Sequence, residues 1–539
     1  MQIIRLKQLL LILFFLGAMS SFAVAEDSSA EKVPSEISEI FSKSLYKDAL
    51  WGLRVVDTES GKVLIDLETT HPFYIGSVRK VFSVGLLLNE IGAAHTYDTP
   101  VYRQGTVDGN GVLNGSLVVV ASGDLTMGGR TKADGTLDVT GMDHNEANSL
   151  GAAELSKPDP LDGYRELARQ VAQSGVTRVT GDVVIDDRLF QPFLFRDEFK
   201  VTPIFVNDDV VDVNFSPTET GRLAQTEYRP KSEALSVSSR VSTGAAGSEL
   251  ELEVEPELPR DIGTPGAEAV ATGVLPIDFQ PPFNTKLPLV RTVRITSPSN
   301  YARTVFVEAL EDEGVEVDAE TVKLNPTELL PEKDSYRMSE QVALLTGSPY
   351  GEVARFILKV SYNIGADTSL VLLGLTQGVD NMSAALEKEK AILASEYGLD
   401  PSTFHFVDGS GGGESTATNE TVTSMLIGLL NSPQREVLMK ALPTLAVDGS
   451  LGFVTDFKKD PSLSGAAGNV HAKTGTYVGP GPSGMVVKGQ GFGGYVKTRG
   501  GRTLAYHLTV NGVPISTIED LTQIFQDQGT ISALLWRDY

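Results

Sequence analysis

The chain has 539 residues, 41% of them hydrophobic and 21% charged, a globular composition long enough for two or three domains. Its 45 basic and 70 acidic side chains leave a formal charge of −25, so the surface repels nucleic acid and anionic membrane and both are excluded as expected partners. Cysteine is absent, which excludes thiol catalysis, cysteine-ligated metal and disulfides.

The first residues, MQIIRLKQLLLILFFLGAMSSFAVA, predict a secretory signal. Arg5 and Lys7 precede an apolar run from Leu9 to Ala18, and Ala23-Val24-Ala25 is a small-x-small cleavage site. Cleavage after Ala25 would start the mature chain at Glu26. No cysteine precedes the cut to carry a lipid, and no later segment approaches the roughly 18 apolar residues that span a bilayer. An exported protein with no stable membrane anchor is expected.

Residues 51–67, WGLRVVDTESGKVLIDL, alternate as a hairpin turned at Ser60-Gly61. FYIGSVRKVFS, residues 73–83, follows and contains Ser77 and Lys80. Val78, Val81, Phe82 and Leu86 to Leu88 predict a buried helix with Ser77 in its first turn. Free backbone N–H groups there favour a developing anion, and Lys80, three residues on, lies on the same face. A lysine whose pKa is lowered by burial can take a serine's proton where no histidine serves. Two other Ser-x-x-Lys matches, Ser29…Lys32 and Ser44…Lys47, lie in a charged stretch where an exposed lysine is the natural reading.

Further on, VLNGSLVVVASGDL and VTGDVVIDDRLF are strand-rich, while YRELARQVAQSG and YARTVFVEALEDEG predict amphipathic helices ending near glycine. Residues 128–158, with GGRTKADG and HNEANS, read as a long polar loop. From about residue 206 to 284 the helices stop, and SELELEVEPEL, residues 248–258, alternates Glu with apolar residues as a strand with one acidic face. A β-rich unit inside an α/β unit is predicted, itself set between the two ends of the chain.

VARFILKV, residues 353–360, predicts a helix and leads into SYN, residues 361–363, the only Ser-x-Asn in the chain. NVHAKTGTY alternates as a strand and holds the only Lys-Thr-Gly, beginning at Lys473. GTYVGPGPSGMVVKG reads as an unusual loop, and GYVKT with TLAYHLTV as a hairpin turned at Gly500-Gly501. The six histidines form no His-x-x-x-His pair and no Gly-x-Ser-x-Gly occurs, so a helical zinc site and a Ser-His-Asp elbow both lack their signature. Each histidine reads as a structural or surface side chain. Alone, Asn363 reads as a turn cap and Lys473 as a solvated strand charge. In the order Ser-x-x-Lys, Ser-x-Asn, Lys-Thr-Gly, the three match the set of penicillin-binding proteins and β-lactamases.

The sequence resembles the penicillin-binding proteins of the peptidase S13 type, the D-alanyl-D-alanine carboxypeptidase/endopeptidase group. Beyond the triple, the resemblance rests on SGKVLIDL, on SGVTRVTGDVVIDDRLF at 174–190 and on VDGSGGG at 407–413. LPTLAVDGSLG at 442–452 and AAGNVHAKTGT at 466–476 extend it over almost all of the mature chain. It implies an α/β (α+β) fold: a transpeptidase/β-lactamase-like catalytic domain, an antiparallel sheet flanked by helices, with two nested inserted domains. The expected division is 1–25 signal peptide, 26–97 and 338–539 catalytic domain, 98–205 and 285–337 inserted α/β domain, and 206–284 nested β-rich domain.

The resemblance further implies peptidoglycan stem peptides as substrate, β-lactams as covalent inhibitors, a periplasmic or cell-wall location, and no metal or organic cofactor. Ser77 would attack the D-Ala-D-Ala carbonyl and form an acyl-enzyme, with Lys80 accepting its proton. Ser361 would relay a proton to the leaving amine, and Asn363 would orient Lys80 and the substrate amide. Lys473 would supply positive potential beside a substrate-binding strand of Thr474, Gly475 and Thr476, whose two threonines hold the terminal carboxylate. The oxyanion would sit between the N–H groups of Ser77 and Thr476. Asp186 matches a family aspartate at the amino end of the stem-peptide side chain; a turn residue ending a strand is its other reading. Relatives carry an Arg for a side-chain carboxylate where this chain has Glu414, which favours an amidated or lysine-type side chain. Two readings stay open beside this one: a serine β-lactamase or esterase, disfavoured by the long insertions, and a non-catalytic wall-binding scaffold, disfavoured by the intact motifs.

Overall fold

The computed structural model describes residues 32–539 apart from residues 152, 283, 284 and 483; the signal segment and Ser29 lie outside the described residues. The two ends of the chain build one antiparallel sheet from β1 (Leu50–Asp57), β2 (Val63–Leu67), β3 (Val470–Gly481), β4 (Gly484–Lys497), β5 (Thr503–Asn511) and the short β6 (Val513–Ile515). The strand order is β2-β1-β5-β4-β3, with β6 paired to β4. The first strand of the chain therefore lies beside one of the last, with Leu53 opposite Leu508 and Val55 opposite Tyr506.

Helices cover both faces. They are α1 (Lys80–Ile91), α2 (Tyr350–Val360), α3 (Asn363–Thr376), α4 (Met382–Glu396), α5 (Asn419–Leu430) and α6 (Ile518–Asp538). Alternation in the strands sends Leu53, Val55, Phe492 and Leu508 to one face, where they pack with Ile531 and Leu535 of α6. On the other face Tyr495 and Ala505 join Val422 and Met425 of α5 and the apolar residues of α1. Every residue of α1 from Lys80 to Leu88 is buried, as expected of a helix apolar all round, and this is the environment into which a lysine has been placed.

Between the two ends, a mixed sheet pairs Asp98–Val107 with Val112–Val120 and with Gln341–Thr346, and the helices Asp162–Gln173 and Pro298–Asp312 pack on it. Two further sheets follow. One comprises Val210–Ser216, Gln225–Arg229 and Leu289–Arg294; the other is built around Glu268–Pro276. One apolar cluster runs through all of them, from Val101 and Val183 to Ala269 and Leu275.

Two stretches differ from their sequence reading. Residues 477–489 are not a loop. β3 and β4 continue as a hairpin to the pair Gly481–Gly484, and Met485 to Val487 pair with β6. Residues 128–158 are largely irregular, as a polar loop should be, but Arg130, Asp143 and His144 point inward while Lys132, Asp134 and Lys157 stay exposed. Arg130 and His144 are buried with Asp143, Asp208 and Asp212; His144 Nδ1 lies 2.7 Å from Asp212 and Nε2 2.8 Å from Asp208, and Arg130 Nε donates to Asp208 at 2.8 Å. The Asp212 and Asp143 charges hold the His144 imidazolium against burial, up to about 10.

Candidate active site

The three motifs arrive from distant parts of the chain and meet backbone to backbone. Gly76–Arg79 forms one 3-10 turn that runs into α1, so Ser77 stands at the helix entrance and Lys80 begins the helix. β3 lies against this turn. A Cβ on Gly475 would stand 2.0 Å from Ile75 O, and one on Gly76, whose φ is +47°, would stand 2.8 Å from Thr476 N. A Cβ on Gly411 of the VDGSGGG stretch would stand 1.9 Å from Gly76 O. No side chain fits at these contacts, which is why glycine occupies each of them.

Lys80 is fully buried. Its Nζ donates to Ser77 Oγ at 2.6 Å, to Asn363 Oδ1 at 2.7 Å and to Ser410 O at 2.9 Å. Burial pulls its pKa down to about 7, against the opposing pull of Asp367, Asp408 and Glu146 and with the help of Arg196. Asp367 is pushed up to about 8, by burial first and then by Asp408. The low-dielectric floor drives both groups toward their neutral forms. The Asp408 carboxylate folds the glycine-rich loop around itself, accepting from the N–H groups of Ser410, Gly411 and Gly412 at 2.7–3.1 Å.

Arg79, between Ser77 and Lys80, is buried too. Its Nη1 donates to Glu389 of α4 at 2.8 Å and its Nη2 makes a second bond to the same carboxylate. Its Nε donates to Asp408 O at 2.9 Å, and its guanidinium lies 4.1 Å over the Phe406 ring. The turn that carries Ser77 is thus anchored by an ion pair that the sequence reading did not single out.

Ser361 closes α2 in the left-handed conformation, φ 63° and ψ 35°, and this reversal delivers Asn363 as the first residue of α3. Lys473 is buried on β3, donates to Thr474 O at 2.8 Å, and has its pKa held well below the usual lysine range by burial and by the Lys80 charge. Thr474 Oγ1 lies 2.7 Å from Ser450 Oγ, and Thr476 Oγ1 donates to Gln490 Oε1 at 2.6 Å. Gln490 had no part in the sequence reading, and Ser450 entered it only within LPTLAVDGSLG, with no role given.

The inserted part of the chain reaches the same cleft. Asn363 Nδ2 donates to Glu146 Oε1 at 3.2 Å. A cavity of ≈ 190 Å³ beside Asn363 is lined by Asn145, Glu146, Arg196, Arg294 and Tyr362, among others. Asp186 is engaged elsewhere: Arg188 donates to both its oxygens at 2.7 and 2.8 Å, and the Tyr336 hydroxyl donates at 2.6 Å. None of its hydrogen bonds reaches the Ser77 cleft. Glu414 is exposed.

Residues 34–529 match the family model described as D-Ala-D-Ala carboxypeptidase 3 (S13) family. The chain is 25% identical over 512 residues to the D-alanyl-D-alanine carboxypeptidase of Actinomadura sp. (strain R39), covering 88% of this chain and 83% of that protein. Its fold is similar to the crystal structure of penicillin binding protein 4 from Haemophilus influenzae, with TM-score 0.67, 17% identity, and coverage of 93% of this chain and 99% of that one. The same Haemophilus influenzae protein complexed with a novel β-lactam gives TM-score 0.64 at 17% identity, with the same coverage.

Proposed function

This chain belongs to the D-Ala-D-Ala carboxypeptidase 3 (S13) family and is a serine D-Ala-D-Ala carboxypeptidase, and from that premise we propose that Ser77 carries the reaction with Lys80 as its base. The observation that supports this assignment is the single lysine Nζ bonded at once to Ser77 and Asn363 in a buried setting. With its pKa near 7, Lys80 is neutral in a large share of molecules at physiological pH and can take the Ser77 proton as Oγ attacks the carbonyl carbon. The oxyanion forms between the backbone N–H groups of Ser77 and Thr476, whose two strands of chain touch at Gly76. Collapse breaks the peptide bond. The Lys80 proton passes through Ser361 to the departing D-alanine amine, and water then attacks the Ser77 ester and releases the shortened peptide. Lys473, Thr474 and Thr476 receive the terminal carboxylate, with Gly475 giving β3 its close approach.

We further propose peptidoglycan stem peptides as the substrate, a DD-endopeptidase action beside the carboxypeptidase one, and export through cleavage of residues 1–25. Among the described residues no helix is long and apolar enough to cross a membrane. The domain division of the sequence reading is kept as a proposal, with its last border moved to after Thr346, since Gln341–Thr346 pairs with Asp98–Val107. Asp186 is kept as a substrate contact only for a substrate able to displace Arg188.

A β-lactam, the kind of ligand seen in the Haemophilus influenzae protein, presents a strained amide and a carboxylate in the layout of D-Ala-D-Ala. Intact mass after penicillin treatment, followed by peptide mapping, should give one adduct per chain on the Ser77 peptide. Lys80→Ala should abolish it with the fold intact, and Lys47→Ala, at an exposed lysine, should not change it. An adduct on Ser44, or full labelling of Lys80→Ala, would overturn the assignment. Rapid turnover of penicillin would move the reading toward a β-lactamase.

A further inference from the structure

We propose that Glu146, supplied by the inserted part of the chain, is a positioning residue for acylation: it fixes the Asn363 amide so that only Ser77 can meet the lone pair of a neutral Lys80. The inference rests on the assignment of Ser77 and Lys80 above.

Neutral Lys80 has two N–H bonds and one lone pair, and its Nζ has three neighbours: Ser410 O, Asn363 Oδ1 and Ser77 Oγ. A carbonyl only accepts, so Ser410 O takes one hydrogen. If Asn363 also presents oxygen, it takes the second. The lone pair is then left for Ser77, whose hydroxyl must donate, and that is the arrangement a general base needs. An asparagine amide can turn over with little change of shape. Turned over, it would offer Nδ2–H to the lone pair, and Lys80 would donate to Ser77, leaving the hydroxyl unactivated. Glu146 decides between the two. Its Oε1 accepts from Asn363 Nδ2 at 3.2 Å, and a carboxylate has no hydrogen to offer to Oδ1 in the other orientation.

Glu146 is itself held firmly. It ends a 3-10 turn, His144–Glu146, that Asp143 caps through the N–H of Asn145. The Asn145 amide donates to Asp143 at 2.7 Å and to Asp208 at 3.3 Å, and His144 is locked between Asp208 and Asp212. Ser149 Oγ donates to the second Glu146 oxygen at 2.8 Å. The buried charge network of the insert therefore ends in a carboxylate aimed at Asn363.

The charge of Glu146 adds a signature that a purely structural role lacks. The titratable groups acting on Lys80 are Asp367 of α3, Asp408 of the glycine-rich loop, and Arg196 and Glu146 of the inserted part, while the Lys80 charge acts in turn on Lys473 of β3. Glu146 raises the Lys80 pKa, so removing its charge lowers it and frees the base at lower pH.

The test is the second-order rate constant of penicillin acylation from pH 5 to 9 for wild type, Glu146→Gln and Glu146→Ala, with thermal unfolding of each. Both variants should move the acid limb toward lower pH. Glu146→Ala should also lower the plateau by about tenfold, the factor carried by losing one hydrogen bond to a charged group. Glu146→Gln, which can still accept from Nδ2, should lie between. An acid limb unmoved in both variants, or a plateau undiminished in Glu146→Ala, overturns the proposal; a lost structural contact alone would lower the plateau and leave the limb in place. If the wild-type chain is not acylated, the function proposed above fails instead.

Discussion

Replacing Glu389 by alanine should be among the most damaging single changes in the catalytic region, although Glu389 touches no substrate. Arg79 is 0% exposed and Glu389 1%. After the replacement, the guanidinium keeps only its bond to Asp408 O and its seat on the Phe406 ring. Arginine cannot shed its proton, and removing one member of a buried ion pair costs about 3–5 kcal/mol. The reverse change, Arg79→Met, should cost less, because burial already raises the Glu389 pKa and the orphaned carboxyl can take up a proton. The double variant Arg79→Met/Glu389→Leu should fall close to wild type, since apolar groups of similar volume often replace a buried pair at little cost. Urea unfolding at pH 7 with a constant m-value measures all three. Glu389→Ala within about 1 kcal/mol of wild type, or a smaller loss than that of Arg79→Met, would refute this account of the anchor.

Gly475→Ala should leave the chain folded but abolish acylation, because its methyl would need the space of Ile75 O, one residue ahead of the turn that carries Ser77; mass spectrometry with circular dichroism checks both halves. His144→Asn should destabilise by about 3–5 kcal/mol at pH 6, where the imidazolium pairs with Asp208 and Asp212. The native pKa is raised, so this stability is fully present below the unfolded value near 6.5 and is lost as pH rises through about 10. The gap between variant and wild type in chemical denaturation should therefore narrow from pH 7 to pH 10; a constant gap would show that the charge of His144 is not what holds the cluster.

The candidate catalytic residues were legible to the extent that local pattern expressed them. Val78, Val81 and Phe82 marked α1 as buried, and a lysine in such a helix invites a chemical explanation. The hairpin at Ser60-Gly61 and the strand around Lys473 also followed from alternation. In 128–158 the inward turn of Arg130 and His144 was not legible, because a charged side chain reads the same whether it faces water or a partner, and their partners include Asp208 and Asp212, far along the chain. Glycine and proline in 477–489 imitated a loop, although Val478 and Val487 pair across two strands. Glu146, Arg79, Ser450 and Gln490 carried no motif; their relevance comes from tertiary proximity, which no periodicity encodes.

The pairing of β1 with β5 sets the order of events during folding. A ribosome delivers Ser77 early and β3, β4 and β5 near the end. Until those strands arrive, β1 has no neighbour on one side and the serine turn has no Gly475 to rest against. Closing so long a loop costs little more than closing a moderate one, but contacts of such sequence separation form slowly. An incomplete chain thus holds Ser77 on a turn without its supports, and on the function proposed above reactivity toward penicillin becomes a clock for the last step of assembly.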